Sequence, residues 1–535
     1  MSALLLACAS CVNVDDEIGS GLVPVSHTYT VVTPDPIELG VKLKTADSLS
    51  GYSSTRITIG SIRNDEEYGL SRHTSALWLV PIVNPGDTID YGTNPVYKGF
   101  HFTAIADSFS VENTSQSYIL QNVYVSELSR AVDFDEDING NELLPHGSTR
   151  ISKGIPVITG TDSLSFDFTD EYGKKYMDIQ PEDLEDLDTY MAKFPGIYME
   201  TNDPLGQGGR INIFQLQLGY DSSYGYLTGS FGELKWSAEY DGEQKDTSLY
   251  FYFGASDIYD VDSLLSNSGT GSFPEYALNM TVQDESKSKT LAGDAGEYIY
   301  VEGGGGIKPV VSAQEIRDNI RNTIAANGHD PEKAILNKVT LKFSFIPSDE
   351  NYELMYKVPE VLSPTCRIVT DTSVTWMGLT DASDSNEDQG DINRSLLKYT
   401  PDITYHAQEL LLLDDDNELL LNGSYDIWLL IMHNDVVTTT TSGSSELADY
   451  YKYLAYQSYY SSMYGGYGYG SYGSSYSNYY NYAMMASYYG SSTTSTSTST
   501  NLDRDRYYYC QIYGPEYSDE DLRPVMTFTY SIPNE

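Results

Sequence analysis

Apolar and polar positions alternate with a period of two in several short stretches. Leu164, Phe166 and Phe168 alternate with Ser165 and Asp167. Val339, Leu341, Phe343 and Phe345 alternate with Thr340, Lys342 and Ser344. Met526, Phe528, Tyr530 and Ile532 alternate with Thr527, Thr529 and Ser531. This pattern predicts strands with one buried and one wet face, as in antiparallel sandwiches. Leu249 to Phe253 is apolar on both faces and reads as a central strand. A helical period appears in only two places. One helix is expected from Pro181 to just before Pro195, with Leu184, Leu187 and Met191 as its apolar stripe. The other has Ser312 and Glu315 in capping-box spacing, Ile316, Ile320 and Ile324 one turn apart, and Gly328 just past its end. So few helices among so many strands predict a mostly β protein: antiparallel, jelly-roll-like β-sandwich domains with a few packing helices.

The pattern fails near the C-terminus. Sixteen tyrosines lie between Tyr450 and Tyr489 among Gly, Ser, Asn and Met, and Ser491 to Thr500 is ten consecutive Ser or Thr. Without a hydrophobic period, residues 438–506 are expected to form a long, largely disordered Tyr/Gly/Ser-rich insertion. Its strand-like flanks, 427–432 and 507–512, suggest a loop between adjacent strands of one sandwich. The expected organisation is a leader at 1–11, a linker at 12–27, an N-terminal β-rich region at 28–260 with room for two sandwiches, and a C-terminal sandwich region at 261–535.

Charge narrows the partners. With 77 acidic and 31 basic residues the formal net charge is −46. Such a field repels nucleic acid and anionic membrane surfaces, and favours solubility and cations. The chain opens Met-Ser-Ala-Leu-Leu-Leu-Ala-Cys-Ala-Ser-Cys, with no charge before Asp15. This stretch is too short to span a bilayer and reads as the end of a signal-peptide h-region. Leu5-Leu6-Ala7-Cys8 resembles a lipobox, which makes Cys8 the expected lipidation site, with Cys11 the alternative. No basic segment precedes it, so the true initiator is expected upstream of Met1. Contact with a membrane is then expected through the lipid anchor only. The two remaining cysteines, Cys366 and Cys510, are either a disulfide or two buried thiols.

Several phrases, in order along most of the chain, carry a family resemblance. They are Ile18 to Pro24, Ile59-Gly60 with Asp65 and Tyr68-Gly69, Val123 to Leu128, and Thr159 to Leu164. Tyr298-Ile299-Tyr300 with Gly303 to Gly306, Leu336 to Val339, Ile512 to Pro515 and Val525 to Ser531 follow. Together they resemble the DUF4270 family of Bacteroidota envelope lipoproteins, a domain of unknown function. The Tyr-rich insertion and the four-glycine run depart from its pattern. The resemblance implies an envelope location, in the outer membrane facing the periplasm or the exterior, and a β-rich build; it brings no catalytic residue.

Candidate chemistry is sparse. The seven histidines (His27, His73, His101, His146, His329, His406 and His433) have no metal-site spacing and read as solvated or capping residues. Gly206 to Gly209 and Gly303 to Gly306 read as loop glycines. Asp133, Asp135, Asp137 and Asn139 alternate ahead of Gly140, as in cation loops, which makes calcium the candidate cofactor. The spacing departs from an EF-hand at His146. Asp414 to Asn417 reads as a hairpin turn between two leucine-rich runs. Asp-Ser/Thr-apolar triplets at Asp47, Asp87, Asp162 and Asp262 resemble an O-glycosylation acceptor. The expected role is binding or structural, toward a glycan, a polymer or an envelope protein. The alternatives are a glycan hydrolase and a scaffold acting through the Tyr-rich insertion.

Overall fold

The structure is a computed structural model. It describes residues 28–534 except 65, 112–113, 133–139, 222–225, 255–274, 347–357, 371–372, 384–388, 441–493 and 503–508. Among the described residues strand makes up 48% and helix 17%, so the fold is mostly β, and all pairings between its strands are antiparallel. The period-two segments become strands with the expected faces. Leu164–Asp167 alternates buried and exposed, and Val525–Pro533 buries Met526, Phe528, Tyr530 and Ile532. Glu243–Phe253 sits inside a five-stranded sheet, between Phe231–Tyr240 and Leu79–Pro81, and its apolar end is covered on both faces.

Two large cores organise the molecule. The first runs from Ile57 to Met280 and is shared by a ten-stranded and a five-stranded sheet. Its centre is aromatic: Phe102 stacks between Phe166 at 4.8 Å and Phe253 at 4.9 Å, and Phe100 meets Phe168, Tyr176 and Phe251. Such pairs add about 0.5–1.5 kcal/mol each beyond the area they bury. The second core joins Leu39, Val41 and Leu43 to residues from Ala295 to Ile532. Core membership therefore does not follow sequence order across residue 260. The strand Ala277–Val282 belongs to the first core, while Tyr29–Val32 pairs with the last strand, Val525–Pro533.

The helices show where propensity yields to caps. The helix expected from Pro181 is two pieces. Pro181–Leu184 is a 3₁₀ turn, and an α-helix restarts at Leu187 because Asp186 accepts from the Thr189 amide at 2.7 Å. The second helix forms at Ala313–Ala326 with Ser312 capping the Glu315 amide. Glu315 does not complete the box; its carboxylate accepts from the Gly40 amide instead. The leucine-rich runs flanking 414–417 are helical, Thr404–Leu412 and Glu418–Leu421. That acidic cluster is therefore a helix–helix connection, not a hairpin, with Asn417 capping the second helix.

The margins of the insertion are strands. Ile427–Thr440 continues past the apolar run and pairs from Met432 to Thr440 with Thr494–Leu502, so most of the Ser/Thr tract is β. The tyrosine-rich stretch at 441–493 lies outside the described residues. The strands flanking the insertion are not neighbours either. Ile427–Thr440 lies in a seven-stranded sheet, whereas Tyr509–Tyr513 pairs with Tyr298–Glu302 in a separate two-stranded one.

Candidate functional site

The site is built where one strand changes partners. The strand Gly69–Leu77 pairs along 75–77 with Ile197–Thr201, and along 69–73 with Arg56–Asn64. Its opposite edge is covered by Ala277–Val282. Between the two partners the ladder opens. Glu200 and Thr201 have run past their last registered partner on this strand, Ser75, and a cavity of about 320 Å³ lies in the fork. Gly60, Arg72, His73, Thr74, Tyr124, Leu143, Glu200, Thr201, Asn202 and Asp203 line it.

Its charges are nearly balanced. Arg72 donates from Nε to Asp203 at 2.8 Å and forms a second bond from Nη2, a fork-to-fork pair that raises the guanidinium pKa further. Glu200 is the remaining acid. His73 is 2% exposed, and burial lowers its pKa to about 3, so the imidazole is neutral at pH 7. Among the described residues, His73 Nδ1 and Thr201 Oγ1 are buried without a hydrogen-bond partner. An unmet buried polar group costs on the order of 1–3 kcal/mol. Tyr124 adds a partly exposed ring at the edge. The arrangement suits a neutral molecule rich in hydroxyls. Its two carboxyl groups are Asp203, held by Arg72, and Glu200.

A second constellation has the order of a nucleophile triad. Ser165 Oγ lies 3.1 Å from His101 Nε2, and His101 Nδ1 lies 2.8 Å from Asp167 Oδ1. Strand register creates it, because Asp167 sits opposite His101 and Ser165 two residues along. The three side chains lie on an exposed face of the five-stranded sheet. Acyl transfer also needs donors for the oxyanion, typically worth a factor of about 10²–10³. The neighbouring backbone is engaged in a ladder, Ser165 opposite Thr103 and His101 opposite Glu233.

Two buried cations serve structure. Arg210 is 1% exposed and donates to Asn212 Oδ1 and to the carbonyls of Gln116, Ser117, Ile119 and Ile158. Desolvation lowers its pKa to about 10, so it stays charged at pH 7. Lys308 donates to the carbonyls of Glu302, Gly304 and Gly306. Burial raises the Glu302 carboxyl and lowers the Lys308 ammonium. Close packing explains three of the four glycines in the run. A Cβ at Gly304, Gly305 or Gly306 would collide with Thr281, Asn141 or Glu302 respectively.

The other expected sites resolve differently. Cys366 and Cys510 are buried free thiols, not a disulfide. They sit in separate sheets, where Cys366 faces the Tyr425 carbonyl at 3.7 Å and Cys510 pairs with Val301. Burial raises the Cys366 thiol to about 12 and raises Cys510 also. His73 and His406 are not solvated or capping residues but buried neutral ones, the latter lowered to about 4. Cys8, Cys11, Asp133, Asp135, Asp137 and Asn139 lie outside the described residues. Gly140, just after the candidate calcium loop, is held between the Leu49 carbonyl and the Thr281 amide. Among the described residues no cluster of three or more His, Cys, Asp or Glu is placed to hold a metal ion, and no helix is long and apolar enough to cross a membrane. Sequence reading misses the cavity because its lining comes from separate strands and loops, and its key histidine carries no motif. Compared with protein-family models, curated proteins and solved structures, the chain matches none.

Proposed function

We propose that this chain is the ectodomain of a lipid-anchored envelope protein that binds a neutral, hydroxylated ligand, a glycan, in the cavity between Arg72, His73, Glu200 and Asn202. The supporting observation is that the cavity is polar and nearly charge-balanced, with Arg72 paired to Asp203, Glu200 and Asn202 beside them, and a partly exposed Tyr124 at its edge. Sugar hydroxyls both donate and accept, and so suit the carboxylate and amide side chains of Glu200 and Asn202 without bringing charge into a strongly acidic molecule. The lipobox at Cys8, or the alternative Cys11, and the DUF4270-like phrases support the anchored, envelope setting. Calcium at Asp133, Asp135, Asp137 and Asn139 belongs to this proposal on the spacing of those ligands alone.

The test is glycan-array binding followed by calorimetric titration. Glu200→Gln and Asn202→Ala are expected to weaken binding tenfold or more, with Glu200→Gln leaving the unfolding midpoint unchanged. Binding that is indifferent to both variants refutes the assignment to this cavity. Labelled fatty acid that persists after Cys8 and Cys11 are both changed to Ala refutes the anchor.

A further inference from the structure

Six apolar side chains project into solvent at one end of the ten-stranded sheet. Tyr118, Ile119 and Leu120 are 53–72% exposed, Leu205 is fully exposed, and Ile155 and Val157 are more than 40% exposed. Three consecutive large apolar residues on a loop tip carry a hydration cost that a solvated loop avoids by using polar residues. This loop is also held in place. The buried Arg210 guanidinium binds the carbonyls of Gln116, Ser117 and Ile119 at 2.7–3.0 Å, and that of Ile158 at 3.1 Å. The Gly160 amide adds a bond to Ser117 O. A fixed apolar display binds without the cost of ordering a loop.

The patch abuts the cavity. The Asn122 amide donates to Oδ1 of Asn202, a lining residue, at 3.1 Å, and Asn122 pairs with Val157. Leu120 lies two residues before Asn122, Tyr124 two residues after it, and Leu205 two residues beyond the lining Asp203. A polar, nearly charge-balanced pocket thus continues directly into an apolar shelf, part of which Arg210 holds in place. We infer that the ligand is amphiphilic: a neutral sugar head in the cavity, carrying an alkyl or acyl chain that lies across Leu120, Val157 and Leu205. This deepens the glycan reading and rests on it. A bilayer is the less favoured occupant, because a chain of net charge −46 is repelled by anionic lipid surfaces, whereas a neutral amphiphile feels no such field.

The test titrates the full chain with methyl, hexyl and octyl β-glycosides of glucose, galactose and mannose, all below micelle-forming concentration. Full burial of a methylene strengthens binding about fourfold, and a half-buried one about twofold. The hexyl glycoside is therefore expected to bind at least tenfold tighter than the methyl glycoside of the same sugar. The double variant Leu120→Ser, Leu205→Ser removes only exposed side chains. It is expected to abolish the chain-length dependence while leaving the methyl glycoside's affinity unchanged. Equal affinities for methyl and octyl glycosides overturn the inference and leave the cavity reading standing. Absence of binding by every glycoside overturns both. Chain-length dependence that survives the double variant, or equal binding of phosphatidylcholine vesicles without any sugar, overturns the inference.

Discussion

Replacing Arg210 with methionine removes one guanidinium and five hydrogen bonds while leaving the space filled by a side chain of similar length. Four of the acceptors are backbone carbonyls, those of Gln116, Ser117, Ile119 and Ile158, and the fifth is Asn212 Oδ1. The charge itself is costly to bury, and methionine relieves that cost. The orphaned acceptors work the other way, since each buried unmet polar group costs on the order of 1–3 kcal/mol. The exposed loop recovers part of this by turning its carbonyls of Gln116 and Ile119 to water. The Ser117 carbonyl keeps the Gly160 amide, but Ile158 O and Asn212 lie deeper. With Ile158 O and Asn212 Oδ1 left unmet at about 1–3 kcal/mol each, less the relief of the buried charge, Arg210→Met is expected to cost about 3 kcal/mol. Urea unfolding followed by tryptophan fluorescence reads it, because Trp78 and Trp236 are both buried in the first core. Chymotrypsin supplies a local readout: cleavage after Tyr118 or Leu120 is expected to accelerate in the Arg210→Met variant under native conditions. Arg210→Lys keeps the charge but has three donors for five acceptors, and should fall between. Stability within about 1 kcal/mol of the parent, inside the spread of a surface substitution or two, together with an unchanged cleavage rate, would refute the clamp.

Three further outcomes are expected. His73 and His406 have folded pKa values of about 3 and 4 against an ordinary 6.5, so the unfolded chain binds more protons and their contribution is full above pH 6.5 and lost as pH falls toward 4. Each contributes a slope of about 1.4 kcal/mol per pH unit. Glu275, raised to about 7 by burial, acts in the opposite sense and gains stability as pH falls from 7 to 4.5. Glu275→Gln should therefore steepen the acid loss measured by denaturant titration between pH 6.5 and 4.5, and His406→Gln should flatten it; slopes unchanged in both variants count against the assignment. With Cys8 and Cys11 replaced by Ser, a thiol reagent should label neither Cys366 nor Cys510 in native protein and both in denaturant, whereas rapid native labelling contradicts their burial. Ser165→Ala should leave the rate of p-nitrophenyl acetate hydrolysis unchanged, since the backbone beside it is engaged in the sheet ladder; a tenfold loss would make the Ser165–His101–Asp167 array a working nucleophile.

Fold class is legible because period-two alternation is a local signal. Residues 164–168, 339–345 and 526–532 each state in sequence which face is wet. The helix at Ala313–Ala326 is legible for the same reason, since Ser312, the isoleucine stripe and Gly328 all agree. Periodicity makes the Pro181 segment one helix because its stripe is continuous, but Asp186 caps a fresh start that periodicity cannot register. Composition makes the Ser/Thr tract structureless, yet alternating Ser and Thr pair readily once a neighbouring strand offers an edge. The leucine runs around Asp414 illustrate the converse, since short apolar runs do not distinguish helix from strand. The cavity is illegible for a different reason. It exists because the strand Gly69–Leu77 exchanges one partner for another near Thr74, which is a property of pairing among three distant segments. Nothing in Arg72-His73-Thr74 or Glu200-Thr201-Asn202-Asp203 announces it.

The pairing of Tyr29–Val32 with Val525–Pro533 bears on the order in which the molecule is made. Partners such as Thr30 and Ile532 lie about 500 residues apart, so closing that ladder waits for Val525–Pro533 to emerge. The core between Ile57 and Met280 needs nothing beyond residue 282 and is free to condense earlier. Leu39, Val41 and Leu43 must meanwhile remain uncommitted, since their core lacks the strands of the C-terminal half. Synthesis from one end thus imposes a sequence of events, with an early nucleus, a waiting N-terminal segment and a final closure. A truncation that removes Val525–Pro533 would leave the first core intact and the second unable to seal.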